Sequence, residues 1–95
     1  MEISTSSNTV TIEGNIKSVS DFQDIKTTFD SLKKNNTSII VKVVDSISIT
    51  SSVIGYLNKL VHKDKINIQL KVGNEQLILL LKDLNLVGIL NVTKA

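Results

Sequence analysis

Thr50-Ser51-Ser52, a run of consecutive hydroxyl residues, contains the side chains of this sequence best placed to do chemistry. The run follows a dense β-branched segment from Ile39 to Val44 and precedes an apolar-periodic segment from Ile54 to Val61. At a strand-to-helix junction, such residues set side-chain oxygens beside backbone N–H groups that have no helical partner. Three chemistries fit that arrangement: a helix cap, an anion site, or acceptance of phosphate from a kinase.

Little else in the sequence competes with this stretch. The absence of cysteine excludes a disulfide framework, a thiol nucleophile and a thiolate metal site. His62 is the one histidine, so neither a histidine-based metal site nor a histidine acid–base pair is expected. The chain has no histidine–nucleophile pair, no paired carboxylates in one plausible site and no glycine-rich phosphate loop. An enzyme is therefore not expected, nor is a cofactor or a bound metal. A formal charge of +2 with scattered basic residues and 3% aromatics argues against nucleic-acid binding. Lys33-Lys34, Lys63 and Lys65 read as solvated faces, and His62 as an exposed residue favourable to the negative end of a helix. Asp45 falls at the end of the β-branched run, where open α/β sheets bind ligands, but is read as a turn-stabilising residue.

The elements that must position the hydroxyl run follow from periodicity. Glu2–Ser6 reads as a short edge strand, Ser7-Asn8 as a turn, and Thr9–Ile12 as a strand with period-two alternation. Val19, Phe22, Ile25, Phe29 and Leu32 recur at helical spacing, which stacks them on one face. Ser18 and Asp21 form a capping box ahead of that helix, and Asn35-Asn36 close it. Ser38–Val44 is so continuously β-branched that it suits a central strand covered on both faces. The second helix carries its apolar stripe on Val53, Ile54, Leu57, Leu60 and Val61, with Tyr56, Lys59 and Lys63 on the other side. Ile66, Ile68, Leu70 and Val72 alternate with polar residues as a strand buried mainly on one face. Leu77, Ile78, Leu80, Leu81 and Leu84 form a third helical stripe, from which Leu79 points away, and Ile89–Val92 is read as a final strand.

Strands alternating with helices imply βαβ units, right-handed crossovers and a mainly parallel sheet. The expected fold is a single α/β domain over residues 1–95, with a mixed sheet of four to five strands and about three helices. With 95 residues the chain has room for one modest core. The N-terminus lacks the basic start and apolar core of a signal peptide, and the longest apolar run, Leu77–Leu81, is too short to span a bilayer. The expected protein is soluble and cytoplasmic, without direct membrane insertion.

The order of elements and the junction motif resemble the STAS domain, the family of bacterial anti-sigma factor antagonists. The family pattern at this junction runs aromatic or aliphatic, aliphatic, Asp, Ser, Ser/Thr, Gly, aliphatic, Gly. Ser48, Ile49, Thr50, Ser51, Ser52, Val53, Ile54 and Gly55 occupy those positions here. Leu84-Asn85-Leu86-Val87-Gly88-Ile89-Leu90 is similar to the family's turn into its last strand. The resemblance implies a regulatory module that binds a serine-kinase anti-sigma factor when unphosphorylated and is restored by a serine phosphatase. The phosphoacceptor it implies is Ser51, with Ser52 and Thr50 as secondary candidates. Thr50, Ser51, Ser52 and Val53 are the expected partner contacts at this motif, and Tyr56, off the apolar stripe of its helix, is a further candidate contact. Thr50 stands where the family has Asp, which removes a carboxylate. Val53 stands where it has Gly, which places a branched side chain where close approach of a partner is expected. A STAS adaptor subunit, docking without phosphorylation on a transporter ATPase or a stress-sensing complex, is the alternative.

Overall fold

In the computed structural model, which describes residues 1–95, five strands and three helices alternate as the periodicity predicts. The strands are β1 (Glu2–Ser6), β2 (Thr9–Glu13), β3 (Ser38–Val43), β4 (Asn67–Val72) and β5 (Thr93–Lys94). The helices are α1 (Val19–Leu32), α2 (Ser51–His62) and α3 (Glu75–Asp83). One mixed sheet holds the strands in sequence order, β1-β2-β3-β4-β5, antiparallel only between β1 and β2. The two-residue Ser7-Asn8 connection makes that hairpin, with Ser7 in the left-handed region at φ 56°.

Because each crossover advances one strand in the same direction, right-handed connections deliver every helix to one side. The register agrees. Val10, Val41 and Leu70 lie side by side, as do Ile12, Val43 and Val72, and all six are buried in one cluster with the helices. The alternate residues form the opposite face, where Thr11, Lys42, Lys71 and Thr93 also line up across four strands. No helix covers that face. Ile40 on it is half-buried and Lys42 exposed, so the expectation that β3 is covered on both faces is corrected. A β-branched run satisfies β-propensity on either face, and only the placement of the crossovers decides which face is packed.

α1 begins at the expected capping box. The Asp21 N–H donates to Ser18 Oγ (3.0 Å), while Asp21 Oδ2 accepts from the N–H groups of Lys17 (3.0 Å) and Ser18 (3.2 Å). Ile25 and Phe29 are buried, but Val19 is 77% exposed rather than part of the packed stripe. As the first helical residue it sits at the helix entrance, outside the packed layer. Leu84 likewise leaves the third stripe, because it is the C-cap of α3 and 47% exposed.

The last strand lies later than the sequence suggests. Ile89–Val92 is not a strand: the Leu90 N–H donates to the Leu86 carbonyl (3.0 Å) and the Val92 N–H to the Val87 carbonyl (2.9 Å). Leu86 and Leu90, four residues apart, are both buried by this single helical turn. The Leu90 carbonyl accepts the Leu70 N–H of β4 (3.1 Å), and the strand ladder itself forms where Thr93 and Lys94 meet Lys71 and Val72.

Candidate functional site

The hydroxyl run lies at the start of α2, beyond the end of β3 where its parallel sheet points. The three oxygens do not share one role. Thr50 is the N-cap, in extended conformation, and its Oγ1 accepts the Val53 N–H at 3.3 Å. Ser51 and Ser52 occupy the first turn, both exposed, and neither side chain hydrogen-bonds within the protein. The turn holds no acidic residue, so nothing yet offsets the positive end of the α2 dipole.

One turn further, Gly55 is exposed on the same side of α2. A Cβ built there meets no atom within 4 Å. Glycine in a helix interior costs about 1 kcal/mol relative to alanine, and no contact inside the protein requires it here. Gly55 therefore presents bare backbone to the outside, beside the two free serines.

Val53, by contrast, is 2% exposed and belongs to the core. Its branched side chain points away from the surface that a partner would meet, so the steric obstacle expected from it is absent, and so is a contact role. Tyr56 also requires correction. Expected off the apolar stripe and among the partner contacts, it is buried, at 6% exposure. The stripe of α2 is turned toward α1, where the rings of Phe22 and Phe29 meet Tyr56 edge-on with centroids 6.3 and 6.2 Å away. Its phenol donates to Asp30 Oδ1 (2.5 Å). Burial and then the neighbouring carboxylate raise the Tyr56 phenol far above its ordinary range, which keeps it a donor. The same bond, helped by Lys26 and Lys33, holds Asp30 down at about 2.

The loops around the hydroxyls are tied to one another. Asp45 Oδ1 accepts the N–H of Gly14 (2.7 Å), so instead of closing its own turn it ties that turn to a remote loop; Gly14 itself has φ 86°. The fully buried Ser46 donates its hydroxyl to the Gly14 carbonyl, and Asn15 Oδ1 accepts the Ile47 N–H (3.1 Å). These bonds join the loop before α1 to the loop before α2 across 31 or 32 residues of sequence. Ser46 and Asn15 carry no sequence signal for this latch, because its partners are remote. The latch fixes the entrances of α1 and α2 relative to each other. Between them lies an open cleft of about 350 Å³ lined by Lys17, Ser18, Val19, Phe22, Thr50 and Ser52, among others. Ser52 faces this cleft, whereas Ser51 does not line it.

His62 is exposed in the last turn of α2, and Leu79, as expected, is 54% exposed on α3. Nowhere do three or more His, Asp or Glu side chains gather within reach of one metal ion. No helix is long and apolar enough to cross a membrane. Compared with protein-family models, curated proteins and solved structures, the chain has no match.

Proposed function

We propose that this chain is a non-enzymatic, protein-binding regulatory module of the anti-sigma factor antagonist type, acting in the cytoplasm. The division of labour at the start of α2 carries this reading. Thr50 alone makes the cap, which leaves Ser51 and Ser52 exposed and unbonded beside the bare backbone of Gly55. Thr50 accepts the same N–H that an aspartate N-cap would, so the change from the family residue keeps the junction's geometry.

In the unphosphorylated state, a serine-kinase anti-sigma factor packs on Ser51, Ser52 and Gly55. The kinase transfers phosphate when Ser51 Oγ attacks the γ-phosphorus of ATP, loses its proton to a base of the kinase and releases ADP. The modified serine gains about −1.5 to −2 charges at neutral pH. The dipole and free N–H groups of the first turn accommodate that charge, so the fold persists while the docked surface is repelled. Hydrolysis by a serine phosphatase restores binding.

A second reading, a docking subunit without a phosphoswitch, draws support from Val19, an exposed apolar residue on the cleft that Thr50 and Ser52 share. Incubation with an anti-sigma serine kinase and ATP, followed by site mapping and a binding assay, separates the two. The switch requires one phosphate on Ser51, loss of binding in Ser51→Asp, and binding without phosphorylation in Ser51→Ala. Undiminished binding by Ser51→Asp excludes the switch and leaves the docking subunit.

A further inference from the structure

The uncovered face of the sheet carries two like-charged pairs of opposite sign. Glu2 and Glu13 are direct cross-strand neighbours on β1 and β2. Lys42 and Lys71 are direct neighbours on β3 and β4. Like charges placed opposite each other destabilise a sheet, and each pair here lacks relief within the chain. The ion pairs of the protein are Lys26–Asp30, Lys33–Asp30, Lys33–Asp64 and Lys94–Glu75, none of which involves these four residues. One half of the face is thus acidic and the other half basic, with Ile40 half-buried near its centre.

We propose that this face pairs with the same face of a second copy of the chain. A two-fold axis lying between the two sheets, parallel to the strands and passing between β2 and β3, places the acidic half of each copy over the basic half of the other. Lys42 and Lys71 are level with Thr11, so Glu13 lies one side-chain row, about 6.6 Å, further along the strands than the lysines, a step that a lysine side chain spans. The pairing converts two repulsive pairs into interchain attraction and covers Ile40. About that axis only β1 to β4 overlap, because β5 is two residues long and falls outside. Four strands about 4.8 Å apart and roughly 17 Å long present only about 330 Å² per copy. This falls below the roughly 800 Å² per partner of a standard stable interface, so the dimer is weak and exchanging. It lies across the sheet from α2 and leaves Ser51 and Ser52 free, so it stands or falls independently of the phosphoswitch.

Sedimentation velocity of the full chain, from about 1 µM to 1 mM, tests the proposal across the range of weak affinities. The wild type is expected to equilibrate between monomer and dimer, and to shift toward monomer as salt rises from about 50 to 500 mM. Glu2→Lys with Glu13→Lys, and separately Lys42→Glu with Lys71→Glu, each give a folded monomer by circular dichroism and sedimentation. Mixing the two variants regenerates a one-to-one dimer. A wild type that stays monomeric throughout overturns the proposal, as does a mixture that fails to pair. A dimer that survives either charge reversal uses another surface and overturns it equally.

Discussion

At the scale of single residues, the contact between Tyr56 and Asp30 joins α1 to α2 and makes stability depend on pH. Asp30 is held at about 2, below its ordinary 3.8, first by the Tyr56 hydroxyl and then by Lys26 and Lys33. A carboxyl whose folded pKa is lowered adds stability above its unfolded value. That contribution is expected to fade as the pH falls from about 4 toward 2. Tyr56→Phe keeps the ring packing and removes the donor. Urea denaturation at neutral pH should register a loss of about 1.5 kcal/mol, the low end for a bond to a charged group because Asp30 keeps solvent access. The acid-limb decline between pH 4 and 2 should shrink in the same variant. The three hydroxyls make a second contrast. Thr50→Ala should cost about 1 kcal/mol through loss of the cap. Ser51→Ala and Ser52→Ala should each stay within about 0.5 kcal/mol of the wild type. Equal losses at all three positions would contradict the division of labour.

At the scale of elements, two glycines separate an outward role from an inward one. Gly55→Ala adds a methyl group in open space on α2 and should raise stability by about 0.5–1 kcal/mol. If Gly55 receives a partner's backbone, the same substitution should weaken partner binding about tenfold or more, so stability and affinity move in opposite directions. Gly73, between β4 and α3, behaves differently. A Cβ there would lie 2.1 Å from the Val44 carbonyl oxygen, and the Gly73 N–H donates to the Val43 carbonyl (2.9 Å). Gly73→Ala must push the end of β3 away and should cost about 3 kcal/mol, read as a lowered denaturation midpoint.

At the scale of the whole molecule, the one-sided sheet decides which backbone is most protected. β3 pairs with β2 and β4 along its length and buries Ile39, Val41 and Val43. Native-state hydrogen exchange should find the amides of β3 opening only with global unfolding, while β1 and the two-residue β5 exchange by local fraying. Protection of β1 equal to that of β3 at high protein concentration, and lost on dilution, would match the paired sheet faces.

Local patterns were enough to place most elements. The Ser18–Asp21 capping box, the period-two alternation of β4 and the helical spacing of Ile25 and Phe29 depend on neighbours within a few residues. The hydroxyl junction was legible for the same reason, since capping is local. Packing between distant segments was not legible. Tyr56 turns inward because α1 presents Phe22, Phe29 and Asp30 to it. Ser46 and Asn15 meet partners some thirty residues away. The bare face of β3 follows from three crossovers arriving on one side. Sequence by itself determined the first four strands, the three helices and where α2 begins, because short-range sterics and capping set those. It misplaced the last strand, whose position depends on pairing with β4. The tertiary structure alone decided which serines are free, where Val53 and Tyr56 point, and which face of the sheet stays open. Those outcomes depend on long-range contacts that no periodicity encodes.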